Sequence, residues 1–240
     1  MVQHTLLPLP IGAPLPGWNP PPPPATTTMR GRYCTVERLN PAKHGRELFN
    51  ADSLEPSDVS WTYLSYGPFS SEESYLSWLQ SQSEKADPLF FSILEPISGR
   101  AIGLASYLRI EPSHGSIEVG HLKFSPVMQR TCAATEAMYL MMARAFEGGY
   151  RRYEWKCDAL NAGSRAAAQR LGFSYEGTFR QATVYKGRNR DTAWFSVIDK
   201  DWPAVKGALE QWLSPTNFDG HGGQKVALSS LTAPLLRPPQ

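Results

Sequence analysis

Cysteine is scarce in this chain, and its placement excludes two classes of protein. Cys34, Cys132 and Cys157 lie far apart and none belongs to a C-x-x-C pair, so they offer neither a zinc-site spacing nor a disulfide framework. No metal is expected, and three such thiols suit a reducing compartment, the cytoplasm. An excess of one charge is also missing. Lysine and arginine exceed the acids by 24 − 22 = 2, and the basic residues form no stripe interleaved with aromatics, which argues against nucleic acid or a membrane surface as a partner. No apolar run is long enough to span a bilayer. No basic residue precedes Arg30, and Pro8, Pro10, Pro14 and Pro16 interrupt the start, so a secretory signal is not expected.

Proline, by contrast, is concentrated at the beginning. It dominates 8–28, with a run at 20–24, and favours an extended polyproline conformation without backbone hydrogen bonds. Residues 1–29 therefore read as an arm, either recognised by an aromatic groove on a partner or laid across the domain. Trp18 would be costly in a free tail, which favours docking. From 214 to 240 the composition turns to Ser, Pro, Gly and Thr, the pattern of a mobile tail. Between them, 30–213 holds enough of the chain's 41% hydrophobic content for one core.

Within that domain strand and helix signals alternate. Residues 32–39 are strand-like, 42–51 helical, and 71–84 helical with Ser70 or Ser71 as cap. Residues 89–94 and 101–110 form two strands joined through Pro96, Ser98 and Gly99, and 116–124 continues the sheet. A helix then runs to Gly148-Gly149, where glycine accommodates a left-handed cap. Tyr153, Trp155 and Cys157 alternate with Glu154, Lys156 and Asp158, a strand with one packed and one polar face. Asn161 caps the next helix, 178–185 and 191–198 make a closing antiparallel pair, and 202–213 is a last helix. The fold class is α/β (α+β), a mixed sheet with helices on both faces.

The densest information lies between Glu118 and Phe173. A strand ending at Phe124 enters a turn at 125–133, and apolar residues then recur with helical spacing at Ala134, Met138, Met141, Met142 and Ala145. A helix start presents N–H groups without intrahelical partners together with the positive end of the helix dipole, so a diphosphate is a natural ligand. Small residues opening a close-packed helix explain the same pattern without a ligand.

Here the chain resembles the GNAT superfamily of acyl-CoA-dependent N-acyltransferases, most closely its RimL/RimJ-like branch. Gln129-Arg130-Thr131-Cys132-Ala133-Ala134 resembles the two ends of the family's Gln/Arg-x-x-Gly-x-Gly/Ala diphosphate motif, with Cys132 in place of the glycine. Ala134-Thr135-Glu136-Ala137 looks like the opening of the family's central helix, and Asn161-x-x-Ser164 followed by Leu171-Gly172-Phe173 is similar to its second signature. The resemblance covers roughly 31–213. It implies a mostly antiparallel sheet with a splayed central strand pair, acetyl-CoA as acyl donor, and transfer to a primary amine on a small molecule or a protein N-terminus. It also leaves a homodimer open.

Site residues follow from the same resemblance. The backbone of Leu122, Lys123 and Phe124 would contact pantetheine and the acyl carbonyl. Gln129, Arg130, Thr131, Cys132, Ala133 and Ala134 would hold the diphosphate. Asn161 would lie near pantetheine, although an asparagine before a helix is equally an ordinary N-cap. Ser164 would serve both as a cofactor contact and as the hydroxyl that protonates the departing thiolate. Glu118 is the candidate general base, with an ion pair or backbone contact as its structural alternative. His121 is a rival by chemistry, but in a regular strand it would face away from Glu118; a bulge would break that parity. The Cβ of Cys132 conflicts with a left-handed turn at that position. An alternative for the whole chain is a non-catalytic acyl-CoA-binding or sensing module with a proline-rich interaction arm.

Overall fold

Eight strands build one sheet in a computed structural model, which describes residues 9–238. The strands are β1 (Met29–Arg30), β2 (Thr35–Arg38), β3 (Leu89–Leu94), β4 (Ala101–Glu111), β5 (Ser116–Phe124), β6 (Arg152–Asp158), β7 (Ser174–Tyr185) and β8 (Arg188–Ile198). Their order is β1-β2-β3-β4-β5-β6-β8-β7. Every neighbouring pair is antiparallel except β5 and β6, which run parallel. A parallel pair needs a crossover, and α3 (Cys132–Glu147) supplies it. The other helices are α1 (Pro41–Asp52), α2 (Glu72–Ser83), α4 (Ala162–Arg170), α5 (Trp202–Leu213) and a short α6 (Leu228–Thr232).

Because side chains alternate across a strand, the sheet divides its apolar residues between two clusters. On one face Phe91, Ile93, Tyr107, Ile117, Val119, Tyr153, Trp155 and Phe195 meet Met138, Met141 and Met142 of α3 and Val205, Leu209 and Trp212 of α5. On the other, Phe90, Leu94 and Leu104 meet Leu48 of α1, Tyr75 and Leu79 of α2, and Trp61 from the loop between those helices. Helices thus cover both faces, as expected.

Boundaries moved where local hydrogen bonding intervened. The strand expected at 32–39 is shortened because the amides of Arg32, Tyr33 and Cys34 donate to the buried carboxylate of Glu136 on α3, at 2.9, 2.6 and 2.8 Å, rather than to a neighbouring strand. Helix α1 starts before Ala42, since the Asn40 side chain accepts from Lys43 N and Pro41 is pre-set for the first helical turn. The closing hairpin is longer than its sequence signal, with β7 starting at Ser174.

Residues 9–17 are exposed, but the arm from Trp18 onward and the segment after Leu213 pack on the domain; Met1–Pro8 of the expected arm and the last two residues of the expected tail lie outside the described residues. Trp18 lies against Gly115 and Pro21 against Gly149, and the Arg144 guanidinium donates to the carbonyls of Ala25 and Thr27. The segment after Leu213, read as a mobile tail, instead folds back. Leu228 is buried in the core and Asn217 and Thr232 are buried polar residues. Thr232 Oγ1 donates to the carbonyls of Arg170 and Leu228, and Trp212 Nε1 donates to Gln224 Oε1 at 2.8 Å. Composition missed this because the anchors, Phe218, Leu228, Leu231 and Leu235 with a few satisfied polar groups, are too sparse to make an apolar period.

Candidate active site

Strands β5 and β6 pair only from Ser116↔Arg152 to Val119↔Trp155. Beyond that point Gly120–Phe124 keeps β4 on one side and has no strand on the other. The central pair is therefore splayed, and the opening exposes the backbone edge of β5 to which Leu122, Lys123 and Phe124 belong. The Leu122 and Phe124 side chains pack toward α3. Lys123 points to the opposite face, where its buried ammonium pairs with Asp52 Oδ1 at 2.8 Å and lies 4.6 Å from the Trp61 ring centre.

A bulge shapes the same stretch. Leu104 pairs with Lys123 and Ser106 with Gly120, so two steps along β4 match three along β5, and the extra residue falls where His121 adopts φ 52°. Its ring stacks on Tyr66 at 5.5 Å and lies 5.1 Å from that of Phe90, on the face that also carries Glu118. The parity expectation for a regular strand thus fails here. Burial pushes the His121 imidazole down to about 4, with Arg109 adding to the effect, so at neutral pH it is an uncharged member of an aromatic stack.

The turn after β5 is built by Ser125. Its carbonyl accepts from Met128 N and Gln129 N, and its own amide donates to Ile102 O. The Gln129 side chain folds back to donate to Phe124 O at 2.9 Å, which commits it to the turn. Arg130 takes the left-handed conformation, φ 61°, and Thr131 caps α3, its hydroxyl accepting from Ala134 N. Cys132 is consequently the first helical residue, and its Cβ meets no left-handed backbone; the conflict expected from its replacing a glycine does not arise. Burial raises the Cys132 thiol, which suits a packing residue rather than a nucleophile. Among the described residues no other backbone or side-chain group accepts from the amides of Arg130, Cys132 and Ala133, three donors at a helix N-terminus.

On the far bank stands α4. Asn161 is its N-cap, with Oδ1 accepting from Ser164 N at 3.0 Å. Trp155 Nε1 donates to Ser164 Oγ at 2.9 Å, which ties the hydroxyl to the last residue of β6 paired with β5. Burial raises the neighbouring Cys157 thiol. Asp158, at the end of β6, is buried and accepts from Tyr185 O–H and Leu160 N, both at 2.9 Å.

Glu118 lies on β5 just before the strands part. It is buried, Arg109 Nη1 approaches Oε2 at 2.7 Å and Lys156 Nζ approaches it at 3.0 Å. Burial pushes its carboxyl up, opposed by these two cations. Sequence reading named Glu118 but neither partner. The polar face of β6 hinted at Lys156, whereas Arg109 reaches the site only because β4 is irregular there, with Arg109 at φ 46°. Glu136, which the ATEA resemblance passed over, proves to be the residue that holds the first sheet edge on α3. Asp52 was missed too, since the end of a helix carries no signal of a partner in β5.

An acetyltransferase (GNAT) domain model matches residues 42–174. The chain belongs to the GNAT acetyltransferase family. A GCN5-related N-acetyltransferase from Brucella melitensis is 46% identical, with a TM-score of 0.89 over 91% of this chain and 100% of that one. A "probable acetyltransferase" of the GNAT family from Chromobacterium violaceum is 41% identical, with a TM-score of 0.76 over 82% of this chain and 100% of its own. RimL, a ribosomal alpha-N-protein acetyltransferase in complex with coenzyme A, is 19% identical, with a TM-score of 0.61 over 72% of this chain and 99% of its own, a likeness of fold alone. No curated protein matches the chain. As in other GNAT proteins, acyl-CoA is the donor this site fits, and the described residues contain no group of three His, Cys, Asp or Glu side chains arranged to hold a metal.

Proposed function

We propose that this GNAT protein is a cytoplasmic, acetyl-CoA-dependent N-acetyltransferase of the RimL/RimJ-like branch, acting on a primary amine of a small molecule or a protein N-terminus. The observation that carries the reading is the continuity of the opening between β5 and β6. At one end stand the free amides of Arg130, Cys132 and Ala133, and along its banks lie the unpaired edge of β5 and the hydroxyl of Ser164. An anionic diphosphate suits the first, an amide-bearing pantetheine the second and a thioester sulfur the third.

A thioester is already activated, so the chain needs only to align the amine, accept its proton and protonate the thiolate. In the proposed reaction the amine nitrogen bonds to the acetyl carbon in a ternary complex and the carbon–sulfur bond breaks. The amine's proton passes to Glu118, directly or through one water, and from there to solvent; the thiolate receives a proton from Ser164, which takes one back from solvent in the same transfer, so that both side chains end as they began. Backbone amides of Leu122–Phe124 would polarise the carbonyl.

A thermal-shift titration tests the donor assignment. At about a hundred times its dissociation constant, acetyl-CoA should stabilise the protein by roughly 2.7 kcal/mol, several degrees in Tm, while ATP should not. Absence of a shift in folded protein free of copurified coenzyme A would overturn the reading. A positive result leads to a panel of amines and peptides with free N-termini.

A further inference from the structure

The ion pairs of Glu118 are unevenly distributed over its two oxygens. Arg109 Nη1 and Lys156 Nζ both sit on Oε2. Among the described residues none donates a hydrogen bond to Oε1, which lies 3.6 Å from where a Cβ on residue 120 would stand. Gly120 is the first residue of β5 past the last pair with β6, so Oε1 is the oxygen turned toward the opening.

Each cation is held in place by more than its bond to Glu118. Lys156, with its side chain only 6% exposed, also contacts Glu154 Oε2 at 2.8 Å and lies 3.6 Å from the Trp194 ring centre. Glu154 in turn takes Arg152 Nε at 2.6 Å, and Arg152 pairs on its far side with Glu176 of β7. Arg152 is thus shared between Glu154 and Glu176, and the Lys156 ammonium between Glu154 and Glu118. Arg109 comes from β4, where the side-chain oxygens of Asp87 accept from the amides of Arg109 and Ile110 at 3.1 and 3.0 Å and brace a backbone conformation that a residue with a Cβ rarely adopts. Its side chain is 58% exposed, at the rim. His121, on the same strand as Glu118, is uncharged at neutral pH, and Ser196 and Trp194 of β8 bring no charge.

We propose that Arg109 and Lys156 are positioning residues that anchor Oε2 of Glu118 and leave Oε1, over the side-chain-free Gly120, as the oxygen that takes the proton of the acceptor amine. This rests on the reading of the chain as an amine acetyltransferase with Glu118 as its base. Burial alone would favour the protonated, useless form, and two nearby cations favour the ionised one. The clamp therefore sets the pH above which the base is available.

The test uses the full chain as wild type, Arg109→Gln, Arg109→Lys and Lys156→Met. Two readouts are compared: the titration of the Glu118 side-chain carboxyl by carbon-13 NMR, assigned with Glu118→Gln, and the acidic limb of kcat/KM for an amine that the wild type acetylates. Arg109→Gln should move both to higher pH by about one unit or more, with activity recovering at alkaline pH and KM for acetyl-CoA unchanged. Arg109→Lys should fall near the wild type, and Lys156→Met should shift in the same direction as Arg109→Gln. Should Lys156→Met fail to fold, the rim residue Arg109 decides the matter. A carboxyl titration that stays put in Arg109→Gln overturns the clamp, and one that moves while the acidic limb stays overturns its role in catalysis. Failure of the enzyme reading looks different: the carboxyl titration moves, acetyl-CoA binds, and no amine is acetylated by the wild type, in which case the positioning role falls with the base.

Discussion

Ser164 holds its hydroxyl in a defined sense. With the Trp155 indole N–H donating to Oγ, one lone pair is occupied, and the hydroxyl proton, turned in this structure toward the Cys157 sulfur, is the one Ser164 would give to a departing thiolate. Replacing it by alanine should lower kcat on the order of a hundredfold, the usual weight of a positioned acid, with little change in KM for acetyl-CoA. The same change leaves the indole without an acceptor, at a cost of about 1 kcal/mol; denaturant titration beside steady-state kinetics separates the two effects. His121 makes a different prediction. Its imidazole is pushed down to about 4 in the fold from an ordinary value of about 6.5, so protonation favours the unfolded chain. The stability it contributes is complete above about pH 6.5 and is lost as pH falls toward 4, amounting to about 2 kcal/mol by about pH 4.5. In His121→Phe, which keeps the stack on Tyr66 and Phe90, that part of the acid destabilisation should vanish from denaturation curves.

At the scale of the element, α3 joins two tasks. Its first turn presents free amides, and one turn later Glu136 accepts three backbone N–H groups from the segment between β1 and β2. Glu136→Ala would leave those donors unsatisfied and should cost about 3 kcal/mol or more in a urea titration. A retained midpoint would show that water replaces the carboxylate. This is also where reading the sequence succeeded and where it stopped. The strand–turn–helix order around α3, the cap at Asn161 and the hairpin of β3 and β4 were legible because period, caps and spacing are local properties, whereas the splayed pair was expected only from the family resemblance. The contacts of Arg109, Lys156, Asp52 and Glu136 were not, because each joins residues far apart in the chain. The bulge at His121 was foreseen only as an exception, and it decided which face the imidazole occupies. At Cys132 the expected strain was assigned to the wrong residue: the left-handed position of the turn belongs to Arg130.

Across the whole molecule, the arm from Trp18 onward and the C-terminal segment are pieces of the fold on the face covered by α3 and α5. The arm engages the end of α3 remote from the turn proposed to hold the diphosphate, through Arg144 in its last turn. A 16-residue helix separates its ends by about 24 Å, so deletion of residues 1–28 should lower Tm without weakening acetyl-CoA, and a combined loss of both would refute the separation of roles. The sheet itself has a seam. Its two leaves, β1–β5 and β6–β8, share only the four residue pairs between Ser116↔Arg152 and Val119↔Trp155, with α3 as the covalent hinge behind them. A donor lodged in the opening would finish the interrupted ladder, so that the substrate becomes a temporary ninth strand and binding continues folding by other means. Amide exchange along Gly120–Phe124 and Lys156–Asp158 should then slow together when acetyl-CoA is added, two edges of separate leaves answering as one.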